Sequence, residues 1–562
     1  MSYFQPQAHL RTHTVENQPP PLEGGNAFHG DQALREALVR EGGEWATQRL
    51  LALGNEINDP VNIENAVLAN KHGPELKRFD RYGHRIDTIE FHPAYHHTMA
   101  LAYRHDVGTL PWNHPRPGAH VAKAAASILF NQLEGGVMCP YAISYGVIPL
   151  LRLQPELAAV WEAGLRSTEY DGRQIPAPMK TGLTAAFSST EKQGGTDVRA
   201  NTTFATPVGR RGPGEEYLIR GHKFFCSAAA GDVFFIVAQT DAGPSCFFAP
   251  KWLPDGTRNP ISLERLKDKL GNKSNVSCEI EIDNAHGWLI GEEGRGIPTM
   301  MAFIHCTRFE TVLCPTGFMR KGLNEALHHA RYRSVFGKKL IDQPLMKNVL
   351  ADLALDSEAA TAFAMRMGRS FDLKGESDFE RAYARSSLAI GKYWLNKRVV
   401  PFLHEALEVL GGSGYVEESV MPRLYREAPV HGLWEGPGNV QALDVLRTLS
   451  KEADAQAALF DELHLARGGN RKLDAAVAEL EQMMLNGPIA QEEARIFTEK
   501  LALALQASLL VRHAPAYMAD AFCVARLGGQ VGLSYGTLPP GLDIDAILQR
   551  ARTDEDATPS SQ

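Results

Sequence analysis

The chain has 562 residues, of which 44% are hydrophobic and 22% are charged. A single hydrophobic core rarely extends over so long a chain, so the length predicts several domains in an ordinary globular protein. The net charge of −8 gives no overall basic character of the kind that nucleic-acid-binding domains usually carry.

The seven cysteines are scattered along the chain and include no Cys-x-x-Cys pair. An odd number of widely spaced cysteines predicts free thiols in a reducing compartment, which favours a cytoplasmic protein. Residues 17–21 form a polar, proline-rich arm instead of the apolar core of a signal peptide. The longest apolar helix candidate, residues 501–511, is too short to span a bilayer, so no membrane partner is expected.

The hydrophobic pattern changes along the chain and divides it into four predicted domains. Residues 1–180 are an N-terminal arm and a helical domain, because helical periodicity recurs there between prolines and glycines. Residues 181–285 are a β-domain, in which residues 232–240 have the pattern of a buried strand. Residues 286–450 are a bundle of long helices, and residues 451–562 are a C-terminal helical extension that ends in a disordered tail. The predicted fold class is therefore α+β with mostly α-helix.

Residues 190–198 read Thr-Glu-Lys-Gln-Gly-Gly-Thr-Asp-Val and lie between an apolar run and a segment with strand character. Gly194 and Gly195 lack a Cβ, so the backbone can approach a flat ligand closely. Thr190 and Thr196 add hydroxyls for the edge of such a ligand. A phosphate-binding loop would instead open directly into a helix, with Lys-Ser or Lys-Thr behind it. Alone, the segment is better explained as a glycine turn between strands; further motifs favour a site for a planar heterocycle.

Four further segments follow: Lys-Phe-Phe-Cys-Ser at 223–227, Arg-Ser-Val-Phe-Gly at 333–337, Glu-Val-Leu-Gly-Gly-Ser-Gly-Tyr at 408–415 and Leu-Trp-Glu-Gly-Pro-Gly-Asn at 433–439. Together their order and spacing resemble the acyl-CoA dehydrogenase family of flavoproteins. The resemblance is closer to the AidB branch, the flavoproteins of the adaptive response to DNA alkylation, because segments 13–19, 264–272 and 422–427 also look like that branch. It implies the acyl-CoA dehydrogenase fold, with helices, then a β-domain, then a helical bundle that contains the flavin site.

The resemblance implies that Glu435 is the catalytic base, which removes the α-proton of an acyl thioester while the flavin accepts the β-hydride. Between Trp434 and Gly436 this carboxylate would be partly desolvated, and a raised pKa would suit a base for a weak carbon acid. Without the other motifs, Glu435 is better interpreted as an acid near a helix N-terminus. Some relatives carry their base at the position of Thr307, which cannot abstract a proton. The nearby Glu310 is expected at the surface or in a favourable interaction with a helix dipole.

The implied cofactor is FAD. Thr190 and Thr196 would contact its pyrimidine edge and diphosphate region. Phe224 stands where a tryptophan often stacks on the isoalloxazine, and Arg333 would reach the FAD of a neighbouring subunit, since an arginine fork pairs well with a diphosphate. The implied FAD-binding residues are Thr190, Gly195, Thr196, Phe224, Phe225, Cys226, Ser227, Arg333, Phe336, Gly411, Gly412, Gly414, Trp434, Gly436, Gly438 and Asn439.

A metal site is not expected. His92 and His96 are four residues apart, but Pro93 fits best at the first helical position and leaves His92 outside the helix as a cap. His328 and His329 are adjacent and therefore point to different sides of a helix. Solvated or capping histidines explain both pairs better than metal ligands do.

The AidB resemblance implies double-stranded DNA binding through the C-terminal extension, but the charge of that segment opposes it. Residues 451–562 contain 10 Lys and Arg against 16 Asp and Glu, a net of −6, whereas DNA affinity rests largely on phosphate neutralisation. A solvated helical module for oligomer assembly explains the extension about equally well. Candidates for a local basic stripe are Arg495, Arg512 and the five residues that we take as the DNA-binding candidates: Arg447, Lys451, Arg467, Arg471 and Lys472.

Two hypotheses of different classes follow. The first is an FAD-dependent acyl-CoA dehydrogenase-like oxidoreductase that assembles as a homotetramer and acts on an acyl-CoA or a related small molecule. The second is a flavoprotein that acts mainly by binding double-stranded DNA or an acyl ligand, with little or no turnover. Glu435 favours the first hypothesis, and the branch resemblance with its long extension favours the second.

Overall fold

A computed structural model of the chain describes residues 7–529 and 532–553. The first domain is helical, and local sequence explains where several helices begin. Asp31 and Asp59 accept backbone N–H groups at two helix starts, and His92 does the same before Pro93, as predicted. The helices are α1 (Gln32–Arg40), α2 (Thr47–Ile57), α3 (Pro60–Lys71), α4 (Pro93–Arg104), α5 (Leu110–Asn113), α6 (Ala119–Phe130), α7 (Met138–Leu151) and α8 (Pro155–Leu165).

The strands comprise a short hairpin within the helical domain and one larger sheet. The hairpin strands are β1 (Glu75–Phe79) and β2 (Arg85–Glu90); those of the sheet are β3 (Ala185–Ser188), β4 (Phe204–Pro207), β5 (Glu216–Ser227), β6 (Val233–Thr240), β7 (Gly243–Pro250), β8 (Ile261–Leu266) and β9 (Ser277–Ile290). The sheet order is β3-β5-β4-β6-β7-β9-β8, and the additional pairings β3–β6 and β5–β9 fold it back on itself. Its core includes Ile219, Phe247 and Leu289.

Three long helices form the bundle that follows the sheet, with 37, 30 and 32 residues. They are α9 (Gly296–Tyr332), α10 (Pro344–Leu373) and α11 (Asp378–Val409). Between α9 and α10 lies a hairpin of two short strands, β10 (Ser334–Val335) and β11 (Lys338–Lys339). Helix α9 packs against α6, α7, α10 and α11, so it is buried along most of its length. The bundle ends with α12 (Gly412–Tyr415), α13 (Val420–His431) and α14 (Gly438–Lys451).

The C-terminal extension packs on the bundle through buried arginine–carboxylate pairs. Its helices are α15 (Ala453–His464), α16 (Arg471–Leu485), α17 (Ala494–His513), α18 (Ala516–Phe522) and α19 (Ile544–Arg550), with a π-helical turn at Cys523–Leu527. The pairs Arg366–Glu462, Asp356–Arg526 and Glu358–Arg550 join it to α10 at 2.8–2.9 Å. The predicted disordered tail falls mainly on residues 554–562, which lie outside the described residues.

The prediction of an α+β fold with mostly α-helix is confirmed. All seven cysteines are buried free thiols. Within the described residues, no helix combines the length and the apolar character that crossing a membrane requires.

Candidate active site

A cavity of about 670 Å³ lies where the β-domain, α9 and the turn between α13 and α14 meet. Small-molecule and cofactor sites usually enclose roughly 300–1,000 Å³, so the size is suitable for such a ligand. We call it the central cavity. Eight residues of the predicted site line it: Thr190, Gly195, Thr196, Phe225, Ser227, Trp434, Glu435 and Gly436.

Glu435 lies on a strained turn between α13 and α14. Its φ of 57° and the φ of 95° at Gly436 are both left-handed, a conformation that costs a residue with a Cβ about 1 kcal/mol or more. Two side chains hold the turn. Arg308 Nε donates to the Glu435 carbonyl at 3.0 Å, and Gln441 Nε2 donates to the Glu435 and Gly436 carbonyls at 3.1 and 3.0 Å. The surrounding structure therefore maintains a backbone that would otherwise relax, and this backbone directs the carboxylate to the cavity.

The electrostatic surroundings of Glu435 suit a base. Burial raises the pKa of this carboxyl above the usual 4.5, while the Arg308 guanidinium, the Thr307 hydroxyl and the Lys392 ammonium oppose that rise. Burial also lowers the pKa of Lys392 to about 7. Burial thus makes the carboxylate more basic than an exposed one, and its cationic and hydroxyl neighbours counteract part of that effect.

The loop at 190–196 is anchored by a buried ion pair between its Glu191 and Lys223 of β5. Glu191 accepts a hydrogen bond from Lys223 Nζ at 2.7 Å, and both side chains are fully buried. The same carboxylate accepts the backbone N–H groups of Thr202 and Thr203 at 2.7 and 3.0 Å. A Cβ on Gly195 would lie 2.4 Å from Thr190 Oγ1, so a side chain there would displace the threonine. The loop therefore needs glycine at this position for its own packing.

The pairing of β5 with β9 shifts register between Lys223 and Cys226, so Phe224 and Phe225 lie at an irregularity of the strand. Phe225 lines the cavity with 43% of its surface exposed, and Ser227 lines it as well. Phe224 instead lies under Lys267, whose Nζ is 3.3 Å from the ring centroid. Cys226 is fully buried in the sheet core, where burial keeps its thiol protonated by raising its pKa. The structure thus brings Phe225 to the cavity, where the sequence analysis had assigned the stacking position to Phe224.

Four basic residues of the cavity wall are absent from the predicted site. They are Lys267, Lys269, Arg308 and Arg426. Burial lowers the pKa of Lys269 to about 8, and its Nζ donates to the Asn275 carbonyl at 2.7 Å. Lys267, Lys269 and Arg426 belong to the segments 264–272 and 422–427 that carried the branch resemblance. That resemblance was the available signal, but it assigned these residues no role.

Several predicted cofactor residues lie outside the central cavity. Arg333 donates from Nη1 to the Asn17 carbonyl at 2.9 Å and so holds the N-terminal arm. Phe336 is completely exposed on the β10–β11 hairpin. Asn439 accepts a hydrogen bond from Arg495 Nε at 2.8 Å. The remaining ones are Gly411, Gly412 and Gly414, around the start of α12, and Gly438, at the start of α14. Within one chain the structure gives these residues no contact with the cavity.

Glu310 is not at the surface, so that expectation is wrong. The side chain is fully buried and forms an ion pair with Lys123, which is equally buried. The interior of a helical bundle is apolar, and a carboxylate there requires a cationic partner. Glu310 is therefore held by Lys123 in the core and does not line the central cavity. Thr307, by contrast, lies beside Glu435.

The five DNA-binding candidates are all exposed. Arg447 and Lys451 lie on the last turns of α14, where Arg447 pairs with Asp444 at 2.8 Å. Arg467 precedes α16, and Arg471 and Lys472 begin it. Four other basic residues of the extension are engaged in ion pairs: Lys500, Arg512, Arg526 and Arg550. Across residues 7–529 and 532–553, no group of three or more His, Cys, Asp or Glu side chains could hold a metal ion.

Comparison with known proteins relates this site to one family. Residues 17–172 match the adaptive response protein AidB N-terminal domain, residues 186–285 the acyl-CoA dehydrogenase middle domain, and residues 294–450 the acyl-CoA dehydrogenase C-terminal domain. The AidB protein of Escherichia coli K12, whose name assigns it provisionally to the acyl-CoA dehydrogenases, is 42% identical over 527 residues, or 93% of this chain and 96% of that protein. The chain therefore belongs to the acyl-CoA dehydrogenase family and to its AidB-like branch, as the motifs predicted.

Solved structures agree with this assignment at the level of the fold. The Caenorhabditis elegans protein ACDH-11, in complex with C11-CoA, has a TM-score of 0.84 at 24% identity, and the match covers 97% of this chain and 93% of that chain. An acyl-CoA dehydrogenase of Bacillus anthracis complexed with FAD has a TM-score of 0.63 at 17% identity, with 82% and 83% covered. FAD is the cofactor of this family.

The residues of the central cavity fit FAD. The indole Nε1 of Trp434, which lines the cavity, is buried and has no hydrogen-bond partner among the described residues. The ring of Phe225 and the hydroxyls of Thr190, Thr196 and Ser227 supply an aromatic face and edge contacts for a heterocycle. The ammonium groups of the wall match the charge of a diphosphate.

Proposed function

We propose that the protein is an FAD-dependent oxidoreductase that dehydrogenates an acyl-CoA thioester, with Glu435 as its base. The observation that carries this proposal is the half-buried carboxylate of Glu435, held on a strained turn in the wall of a cofactor-sized cavity. Strain of this kind persists only where neighbouring groups enforce it, and it concentrates at functional sites. Here Arg308 and Gln441 enforce it.

The chemistry assigned to Glu435 is removal of a proton from the carbon next to the thioester carbonyl. Burial raises the pKa of the carboxyl and so brings its basicity closer to that of a weak carbon acid. Arg308 and Thr307 counteract part of that rise by stabilising the charged form of the carboxylate. Bound FAD would supply the hydride acceptor for the adjacent carbon.

The basic wall is assigned to phosphate recognition. Lys267 and Lys269 line the cavity from the segment between β8 and β9, and Arg426 lines it from α13. Phosphates of the cofactor and of the CoA carrier are the anions that such a wall suits, and arginine binds them in a forked geometry. These residues would orient the phosphates of the ligands, so that the α-carbon of the acyl thioester lies beside the Glu435 carboxylate.

A homotetramer is part of the proposal. Arg333, Phe336 and Gly411 do not reach the cavity of their own chain, and Phe336 is fully exposed. An apolar ring that stands free in one chain is explained if a second copy covers it. In that arrangement these residues would complete the FAD site of a neighbouring subunit.

The alternative, a flavoprotein that acts mainly by binding DNA, receives less support. The extension has a net charge of −6, and ion pairs occupy four of its ten basic residues. The net negative charge opposes the neutralisation of phosphates on which DNA affinity largely rests. Double-stranded DNA binding by Arg447, Lys451, Arg467, Arg471 and Lys472 remains a prediction for experiment.

Anaerobic titration of the FAD-loaded protein with a panel of acyl-CoAs tests the proposal. We expect about one FAD per chain and bleaching of the flavin absorbance by at least one acyl-CoA. Unchanged absorbance with every chain length, in protein that retains FAD, would refute dehydrogenation and leave a ligand-binding flavoprotein.

A further inference from the structure

A second and larger cavity, of about 1130 Å³, lies where the C-terminal extension joins the bundle. We call it the junction cleft. It is bounded by His305 of α9, the end of α10, the first three turns of α11, and α14–α15 from Lys451 to Asp461. The family domain match ends at residue 450, so the extension itself supplies one wall. No lining residue is shared with the central cavity.

The junction cleft carries equal numbers of cationic and anionic side chains. Four cations, Lys374, Arg381, Arg385 and Lys451, face four carboxylates, Asp378, Glu452, Asp454 and Asp461. Arg385 binds Asp444 at 3.0 Å and Glu452 at 3.2 Å, and Arg381 pairs with Asp378. The cleft therefore lacks the excess positive charge that a polyanion would require.

Lys374 takes part in neither of these pairings. Its ammonium lies 4.0 Å from the centroid of the Phe371 ring, and no carboxylate of the described residues is within ion-pair distance of it. Burial lowers the pKa of Lys374, which reflects the cost of leaving this charge without a partner. An unpaired, largely desolvated ammonium at the wall of a cavity is a group that a ligand anion would stabilise.

His305 provides a neutral polar neighbour for that anion. Burial, together with Lys374, Arg308 and Arg385, lowers the pKa of His305 to about 4. Its imidazole is uncharged at neutral pH and can donate one N–H. One ammonium and one imidazole N–H match the two oxygens of a carboxylate better than the higher charge of a phosphate.

The remaining walls are apolar. Phe371, Phe379 and Leu388 line one side, and alanines of α11 and α15 line the other: Ala382, Ala384, Ala453, Ala455, Ala457 and Ala458. Small side chains leave room for a ligand, and an apolar surface of this extent suits a hydrocarbon body.

From these contacts we infer that the junction cleft binds an organic monocarboxylate with a hydrocarbon body, whose carboxylate is received by Lys374 and His305. The site shares no lining residue with the central cavity that contains Glu435. It is separated from it by the ion pairs of Arg308 and Arg385 with Asp444.

Calorimetric titration of the full-length, FAD-loaded protein with decanoate tests this inference. We expect saturable binding that weakens by about tenfold or more in Lys374→Met, is largely retained in Lys374→Arg, and is unchanged in the matched control Lys338→Met on the exposed β11. Methionine has a similar length and removes a desolvated charge, so the variant should fold; its thermal midpoint and FAD content verify that.

Decanamide and decyl phosphate complete the experiment. Both should bind more weakly than decanoate. Decanamide lacks the negative charge that Lys374 would receive, and decyl phosphate carries more negative charge than one ammonium and one imidazole N–H can balance. The inference is overturned if decanoate does not bind, if Lys374→Met binds it like wild type, or if either analogue binds more tightly. None of these results bears on flavin reduction by acyl-CoA, so failure here and failure of the dehydrogenase proposal can be told apart.

Discussion

Arg308 donates its Nε hydrogen to the backbone carbonyl of Glu435 across 3.0 Å, and its Nη1 contacts Asp444 at 3.3 Å. One guanidinium therefore fixes the turn that presents the base and also lowers the pKa of that base against the effect of burial. Asp444 binds Arg385 and Arg447 in addition. The base is thus connected through two residues to the helix that leads into the extension.

Replacing Arg308 with Gln should move the acidic limb of the activity profile to higher pH. The pKa of Glu435 is already above 4.5 because of burial, and Arg308 opposes that rise. Its removal should raise the pKa further. A base works only when deprotonated, so activity is lost as the pH falls through this pKa. The measurement is the rate of anaerobic flavin reduction by an accepted acyl-CoA between about pH 5 and 9.

Arg426→Gln is the matched control for that experiment. It removes an arginine from the wall of the same cavity, but this arginine pairs with Glu417 and is not among the groups that shift the pKa of Glu435. We expect its acidic limb to coincide with that of wild type. If the acidic limb of the pH–activity profile lies at the same pH in wild type and Arg308→Gln, then Arg308 does not set the pKa of Glu435.

The buried pair Lys123–Glu310 should behave as a unit in the core. Glu310→Met alone leaves an uncompensated buried ammonium and should cost about 3–5 kcal/mol of unfolding free energy. The double variant Lys123→Met/Glu310→Met should recover most of that loss, because both charges are then gone. Urea denaturation of the single and double variants measures the coupling. Additive losses would mean that the two side chains do not depend on each other.

Arg333→Ala should lower FAD occupancy and the stability of the oligomer together. If the side chain reaches the cofactor of a neighbouring subunit, the two equilibria are linked. Sedimentation analysis and flavin absorbance, with Lys338→Ala on the adjacent strand as control, provide the two readouts. Loss of thermal stability with full FAD content and an unchanged oligomer would confine Arg333 to its contact with Asn17.

DNA binding, if present, should be weak, non-specific and lost as salt rises. The extension has a net charge of −6 and can present only a local patch of cations, so few phosphates can be neutralised. The slope of log K against log salt should then be shallow, about 0.9 in magnitude for each phosphate contacted. Mobility shifts of a duplex across a salt series would measure it for wild type and Arg447→Ala. Absence of any shift at low salt would leave the extension as an assembly module that also forms the junction cleft.

The order of the domains could be predicted from the sequence because hydrophobic periodicity is a local property. The hairpin β1–β2 was missed, since its strands are short and its outward residues, such as Lys77 and Arg85, resemble those of a polar loop. The burial of Glu310 was also missed. Its cationic partner Lys123 lies 187 positions earlier, and nothing local to Glu310 indicates that the two meet.

The candidate site was predictable where a motif lies in one continuous segment, as with Thr190, Gly195 and the Trp434–Gly436 turn. It was less predictable where tertiary packing decides the outcome. At the register shift in β5, Phe225 lines the cavity and Phe224 does not, and Arg308 reaches the turn only because α9 passes beside it. Whether Arg333 and Phe336 complete the site depends on a second subunit, which no pattern within one chain specifies.

The most direct test of the account compares wild type with Glu435→Gln, both loaded with FAD, in anaerobic stopped-flow reduction by the acyl-CoA that bleaches wild type best. The substitution keeps the size and hydrogen bonding of the side chain but removes its basicity. We therefore predict unchanged FAD content and a reduction rate lower by about 10²–10⁴-fold, the usual contribution of a general base. A variant that binds FAD normally and is reduced at the wild-type rate would contradict the assignment of Glu435 as the base.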